Sequence, residues 1–252
     1  ILLGLVGSEM CIRDRGSTRL NNKPLIDLDG KSVIQRAISN ALSITENAYV
    51  ATDSDLIKSN VEQITNNVIM TSSSHISGTD RIYEAAKKLD LDDKTLILNL
   101  QGDEPFIPSE LVSKVIGDYY DNDCDVITVS TPIKSDNELT NPNCVLVETD
   151  IKNYAVNFVR TGNIKNPRRH LGIYGYSFKT LSALIKLKPT NNELSLNLEQ
   201  LRFLENNYSI FVSHFDKEIP NGIDTQDDVD NALMYLKQWI FIKKNWLIIP
   251  WD

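Results

Sequence analysis

The stretch Thr95-Leu96-Ile97-Leu98-Asn99-Leu100-Gln101-Gly102-Asp103-Glu104-Pro105 decides how the chain folds. Its apolar run has the length and composition of a buried strand, and the run ends in a Gly-Asp-Glu-Pro loop, so an acidic pair is delivered to a strand's carboxyl end. In an open α/β sheet that end is where ligands bind. A carboxylate there suits a hard divalent cation such as Mg²⁺, which takes one or two protein carboxylates together with phosphate oxygens and water. A Gly-Asp pair by itself is more often an ordinary turn, so the decision rests on what surrounds it.

Upstream and downstream, helical and strand patterns alternate. Residues 33–43 place Val33, Ile34, Ala37, Ile38 and Ala41 on one helical face, and Ala48-Tyr49-Val50-Ala51-Thr52 reads as a strand ending at Asp53. Helices are expected over 55–65, 79–89 and 109–120, and strands over 68–70, 96–100 and 126–131. Parallel strands need crossover connections, so this order predicts an α/β fold with a mostly parallel central sheet and helices on both faces. The second half differs. Residues 144–148 and 155–160 read as hairpin-linked strands, 161–169 are polar, 170–176 are strand-like, and 196–205 form an amphipathic helix. A small β-rich lobe for dimerisation or substrate binding is therefore expected over about residues 142–195. Thr225 stands before Asp227, Asp228 and the apolar run Val229, Ala232, Leu233 and Leu236, as an N-cap precedes a helix.

At 252 residues the chain can bury one substantial core. A net charge of −8 without a dense Lys/Arg run argues against nucleic acid as a partner. Cys11, Cys124 and Cys144 follow neither a disulfide framework nor a zinc pattern, which fits a reducing cytoplasm. Residues 1–6 are apolar but lack the basic flank of a signal peptide. The following Gly7-Ser8-Glu9-Met10-Cys11-Ile12-Arg13-Asp14-Arg15 resembles translated sequencing-adapter DNA, so residues 1–15 are read as a non-native start. Residues 239–252 carry charges and are too short for a membrane span, and are read as an extension of a single domain over 16–238, with no membrane partner.

Ser17-Thr18-Arg19-Leu20-Asn21-Asn22-Lys23-Pro24-Leu25 gathers hydroxyls and two cations in a loop expected after the first strand. It suits a polyphosphate, although it is neither a Walker A sequence nor a Gly-x-Gly-x-x-Gly fingerprint. It is followed in order by Ser77-Gly78-Thr79-Asp80-Arg81, Gln101-Gly102-Asp103-Glu104-Pro105, Arg169-His170-Leu171-Gly172-Ile173-Tyr174-Gly175-Tyr176, Leu198-Glu199-Gln200-Leu201-Arg202 and Gly222-Ile223-Asp224-Thr225. That series, from about residue 16 to about 237, resembles the 3-deoxy-manno-octulosonate (Kdo) cytidylyltransferases. The resemblance implies a Rossmann-like nucleotidyltransferase fold, a homodimer, CTP and Kdo as substrates, Mg²⁺ as cofactor, and a role in lipopolysaccharide synthesis. Cytidylyl transfer to 8-amino-Kdo or another acidic sugar, or an inactive nucleotide-binding relative, are the alternatives. The chemistry is in-line attack of the sugar's anomeric hydroxyl on the α-phosphorus, so the protein must supply positioning, metal ligands and cations rather than a nucleophile.

By the same resemblance, Lys23, Asp103 and Asp224 are the catalytic residues, with Asp103 and Asp224 as metal ligands. Ser17, Thr18, Arg19, Lys23, His75, Ser77, Arg81 and Gln101 are implied for CTP, and Gln101, Arg160, His170, Tyr174, Glu199 and Gln200 for the sugar. One of Tyr174 and Tyr176 is expected in the core. The amino terminus departs from the pattern: Asp14 stands where the family carries an arginine, and residues 8–12 fall on the first strand with a sequence poorly suited to burial. Either that segment pairs imperfectly, or residues 1–6 take its place.

Overall fold

The computed structural model describes residues 2–7, 20, 22–75, 77–162, 164–217 and 219–245, with side chains for all of these except 2–7 and 239–245. The strands are β1 (Leu2–Gly7), β2 (Ala48–Thr52), β3 (Val68–Met70), β4 (Leu96–Gln101), β5 (Val126–Thr131), β6 (Leu146–Thr149), β7 (Ala155–Val159), β8 (Arg168–Ser177) and β9 (Ile210–His214). They form one sheet in the order β3-β2-β1-β4-β8-β5-β9, with β6 and β7 carried off the edge of β8. The acidic loop therefore leaves a central strand.

The β3-β2-β1-β4 half is parallel throughout, as crossover connections demand. Of the two possibilities for the first strand, the apolar run at the very start fills it: Leu2 pairs with Leu96 and Gly7 with Gln101, while Gly4 to Gly7 pair with Ala48 to Ala51. The other half makes the sheet mixed, because β8 runs antiparallel between β4 and β5, while β5 and β9 are parallel. An alternating pattern marks a strand but not its direction, so the insertion of β8 was not readable. It is made possible by Gly175, where a Cβ would lie 2.7 Å from both Leu98 Cδ2 and Ile127 Cγ2. Within the lobe expected over about residues 142–195, the β6–β7 hairpin lies off the main path of the sheet, whereas β8 is a strand of the central sheet itself, because it pairs with β4 and β5.

The helices are α1 (Val33–Leu42), α2 (Asp55–Val61), α3 (Gly78–Lys88), α4 (Ser109–Asp121), α5 (Asp136–Thr140), α6 (Phe178–Leu184), α7 (Asn191–Leu196), α8 (Gln200–Glu205) and α9 (Gln226–Asn245). Capping starts α1: Ser32 and Gln35 form a reciprocal box. Two expectations are corrected. The helix expected over 55–65 ends at Val61, where Ile64 and Thr65 turn back to the Val61 carbonyl. The helix expected over 196–205 begins only at Gln200, because Leu196 ends α7 and Asn197, its C-cap, turns the chain at φ 52°; asparagine tolerates this left-handed geometry, and the leucine periodicity runs on across it.

Each face of the sheet carries a core. Ile34, Ile38, Leu111 and Val115 pack on one side with Leu98 and Leu100, and Ile82, Ala85, Leu181 and Leu184 pack on the other with Ile97 and Tyr176. Tyr176 is the buried tyrosine of the pair. A third cluster joins Leu28 and Val33 to Ile223, Val229 and Ala232, with Leu20, Ile26 and Phe106 alongside. It fastens α9 to the segments that follow β1 and β4, which bear Lys23 and Asp103. The backbone of α9 continues to Asn245, so position 238 falls inside a helix.

Candidate active site

Lys23 opens a 3-10 turn, Lys23–Leu25, entered through Asn22 at φ 53° and stiffened by Pro24. The turn is held from below by the Asp27–Ser32 bridge and by Val33 N donating to Ile26 O at 3.0 Å. Asp103 sits in the loop after β4, where Glu104 N donates to Gln101 O at 3.2 Å and closes the turn. Ile223 N donates to the Asp103 carbonyl at 2.9 Å, and that bond draws the remote Gly222-Ile223-Asp224 segment against the loop. Gly222 permits the approach, since a Cβ there would meet Asp103 O and Glu104 Cγ at 3.4 Å each. Asp224 is then set by the cap of α9: Asp228 Oδ2 accepts from Asp224 N at 3.0 Å and from Thr225 N and Oγ1 at 2.8 Å each.

These three segments bring one cation and two carboxylates together. Lys23 Nζ donates to Asp103 Oδ2 at 2.6 Å and to Asp224 Oδ1 at 2.7 Å. Lys23 and Asp103 are buried, with side chains 8% exposed each, whereas the Asp224 side chain is 57% exposed, so the cluster opens to solvent on the Asp224 side. Burial works against the Lys23 ammonium, but the two aspartates outweigh it and raise its pKa above the ordinary lysine value. Burial also pushes the Asp103 carboxyl up, with Lys23 acting against that rise. Glu104, the second acid of the pair, is raised to about 7 by burial and then by Asp103, while Arg169 favours its ionised form.

The donor set fits Mg²⁺. Two hard carboxylate oxygens converge on one cationic position, and among the described residues no group of three or more His, Cys, Asp or Glu is placed to hold a metal. Asp103 and Asp224 are the residues that could hold such a cation, and Mg²⁺ characteristically adds phosphate oxygens and water to one or two protein carboxylates.

The other candidates separate into those near this edge and those engaged elsewhere. Ser17, Thr18 and Arg19 lie outside the described residues. Gln101 ends β4 and donates from Nε2 to Gly172 O at 3.1 Å. Ser77 is the N-cap of α3, accepting from Asp80 N at 3.2 Å. Thr79 in the first turn of α3 donates to Glu199 Oε2 at 2.9 Å, and Arg202 Nη2 donates to Glu199 Oε1 at 2.7 Å. Burial raises the Glu199 carboxyl, with Arg202 opposing, and burial followed by the Glu199 charge drives the Tyr174 phenol well above its usual value. Glu199 and Tyr174 therefore share one neighbourhood, and Gln200, next to Glu199 in the chain, is buried.

Four candidates are spent on other partners. Arg81 is buried and donates to Thr71 Oγ1 at 2.6 Å and Asp53 Oδ2 at 3.1 Å, so its charge is neutralised by Asp53 instead of being offered at the Lys23 cluster. His75 is bonded to Glu84, which also accepts from Ser72 N at 2.9 Å and pairs with Lys88 at 2.7 Å. His170, 8% exposed, meets Thr128 Oγ1 at 2.8 Å and packs edge-on to Phe158; burial takes it to about 3, so it is a neutral core histidine. Arg160 donates to the carbonyls of Leu196, Pro142 and Asn197 at 2.8, 3.0 and 3.1 Å, and so ties the β6–β7 arm to the α7–α8 turn. The residues missed from sequence were the supports: Asp228, legible as the far end of a Thr-x-x-Asp cap, and Asp53, whose pairing with Arg81 had no local signal.

The pattern of the cytidylyltransferase family matches residues 15–210. The chain is 37% identical over 233 residues to the 3-deoxy-manno-octulosonate cytidylyltransferase of Polynucleobacter necessarius, covering 88% of this chain and 92% of that protein. It is 36% identical over 237 residues to the enzyme of the same name from Parabacteroides distasonis, covering 87% and 94%. Among solved structures it resembles a CMP:2-keto-3-deoxy-manno-octonic acid synthetase complexed with CTP, with a TM-score of 0.82 at 29% identity over 94% of this chain and 98% of the other. A 4-diphosphocytidyl-2C-methyl-D-erythritol synthase from Anaerococcus prevotii shares the fold, with a TM-score of 0.59 at 19% identity over 94% and 96%. With its acidic loop, its lysine turn and its capped Asp224 set on a Rossmann-like nucleotidyltransferase sheet, the chain belongs to the 3-deoxy-manno-octulosonate cytidylyltransferase family.

Proposed function

We propose that this chain transfers CMP from CTP to the anomeric hydroxyl of Kdo, with release of pyrophosphate, and so supplies CMP-Kdo for lipopolysaccharide synthesis. The observation that carries this reading is the convergence of Asp103 and Asp224 on one cationic position at the carboxyl end of β4, in a member of this family. Asp103 and Asp224 would hold Mg²⁺, which when bound offsets charge on the phosphate oxygens as pyrophosphate departs. Lys23 provides a cation beside them for the triphosphate. Gln101, with Nε2 anchored on Gly172 O, sits two residues from Asp103 and is assigned to the substrate pair. Tyr174, Glu199 and Gln200 supply hydroxyl, carboxylate and amide groups for a polyhydroxylated sugar. The acceptor hydroxyl is itself the nucleophile, so these residues act by positioning and charge compensation.

The reaction is assigned to the cytoplasm, where CTP is available; no helix among the described residues is long and apolar enough to cross a membrane. A homodimer contact is assigned to the β6–β7 arm, where Ile151 and Val156 expose apolar side chains. The test is pyrophosphate release from CTP with Mg²⁺, with and without Kdo. Release should require the octulosonic acid, and Asp103→Asn or Asp224→Asn should lower turnover at least about 100-fold, since each removes a metal ligand. Kdo-independent release, or either variant at full activity, overturns the assignment.

A further inference from the structure

Lys23 does more in this structure than face a phosphate. Its ammonium lies 2.6 Å from Asp103 Oδ2 and 2.7 Å from Asp224 Oδ1, so one nitrogen stands where both carboxylates converge. We infer that Lys23 is an internal occupant of the divalent-cation position: it holds Asp103 and Asp224 together in the free enzyme, must leave when the cation arrives, and so couples cation binding to nucleotide binding. The inference rests on the reading of Asp103 and Asp224 as the metal ligands.

Three observations support it. Asp103 is buried, and a buried carboxylate beside a second carboxylate needs a cation close by; among the described residues Lys23 is bonded to both. The backbone under Lys23 is fixed by Pro24, by the Ile26–Val33 hydrogen bond and by the cluster of Leu28, Val33 and Ile223, so the flexible four-carbon side chain is the part that can move. Finally, Asp103 and Asp224 offer two carboxylates at one position, a set that Mg²⁺ completes with phosphate oxygens. An ammonium in contact with Asp103 Oδ2 and Asp224 Oδ1 competes for the same lone pairs and repels a second cation there. A triphosphate relieves the competition twice, by supplying ligands to the metal and by giving the displaced lysine a new anionic partner.

Mn²⁺ is a suitable probe, with free ion counted by electron paramagnetic resonance during titration of the whole chain. Without nucleotide, Lys23→Met should bind Mn²⁺ at least about tenfold more tightly than wild type, and Lys23→Arg, which keeps the charge, should remain weak. CTP should strengthen Mn²⁺ binding much more in wild type than in Lys23→Met. A second measurement needs no variant. Acetylation of Lys23 in the wild-type chain, read by peptide mass, should be slow in chelator and several-fold faster with saturating Mn²⁺ alone. Equal Mn²⁺ affinities for wild type and Lys23→Met, or Lys23 labelling unmoved by Mn²⁺, overturns the occupant role, and leaves the metal reading standing if Asp103→Asn still abolishes binding. If Asp103→Asn and Asp224→Asn both bind Mn²⁺ like wild type, the metal site itself is wrong and the inference falls with it.

Discussion

At the scale of single residues, burial and the partners already in reach set the charge state of each candidate. His170 lies in a motif that matches the family, yet its ring is enclosed by Phe158, Tyr174 and Thr128. Burial lowers its pKa from 6.5 to about 3. The unfolded chain takes up that proton as pH falls through the ordinary value, and the native chain does so only near the lowered one. Stability is therefore fully present above the ordinary value and is lost progressively below it. The cost between pH 7 and pH 5 is on the order of 2 kcal/mol from this group. His170→Gln should flatten that dependence in urea unfolding at the two pH values, and an unchanged slope would show that His170 is not the titrating group. Gly172 makes a different point. A Cβ there would fall 2.2 Å from Gln101 Nε2, the movable end of a side chain, so Gly172→Ala should leave the thermal midpoint within a few degrees while raising KM, because Gln101 must turn away. A large loss of stability with unchanged KM would refute its role in seating Gln101.

At the scale of elements, β8 has the most consequence, since it enters between β4 and β5 and converts a parallel sheet into a mixed one. At Gly175 that insertion is tight, with Leu98 and Ile127 pressing from the two neighbouring strands. Both are core atoms with nowhere to move, so Gly175→Ala should destabilise by about 1–3 kcal/mol in urea unfolding, in contrast to Gly172→Ala three residues away. An effect below about 0.5 kcal/mol would mean that the strand pairing yields more readily than this packing implies. Most elements were legible: residues 68–70 and 126–131 are strands as their patterns indicate, and Thr225 caps α9 as its spacing indicates. The α7–α8 break was not legible, because hydrophobic periodicity carries no mark of the one left-handed residue, Asn197, that interrupts it.

At the scale of the whole molecule, the site is assembled by the packing of the third cluster. Ile223 is fully buried beside Leu28, Val33 and Val229, one residue before Asp224. Ile223→Ala should cost about 2–5 kcal/mol in unfolding free energy. It should also weaken Mn²⁺ binding in the presence of CTP, because Asp224 loses its register against Asp103. Weakened stability with unchanged Mn²⁺ affinity would show that the cap through Asp228 suffices. By itself the amino-acid sequence determined the strand–helix alternation and the acidic loop at a strand's carboxyl end, because each is written in local period or local spacing, while the choice of Lys23, Asp103 and Asp224 was implied by the resemblance that the ordered motifs carry. Only the tertiary structure decided that the apolar start supplies the central strand, that β8 runs antiparallel, that Arg81, His75, Arg160 and His170 are bound to other partners, and that Lys23 stands between Asp103 and Asp224. Those outcomes depend on which groups far apart in sequence meet in a buried space, where each charge must find a partner, and no window of neighbouring residues contains that information.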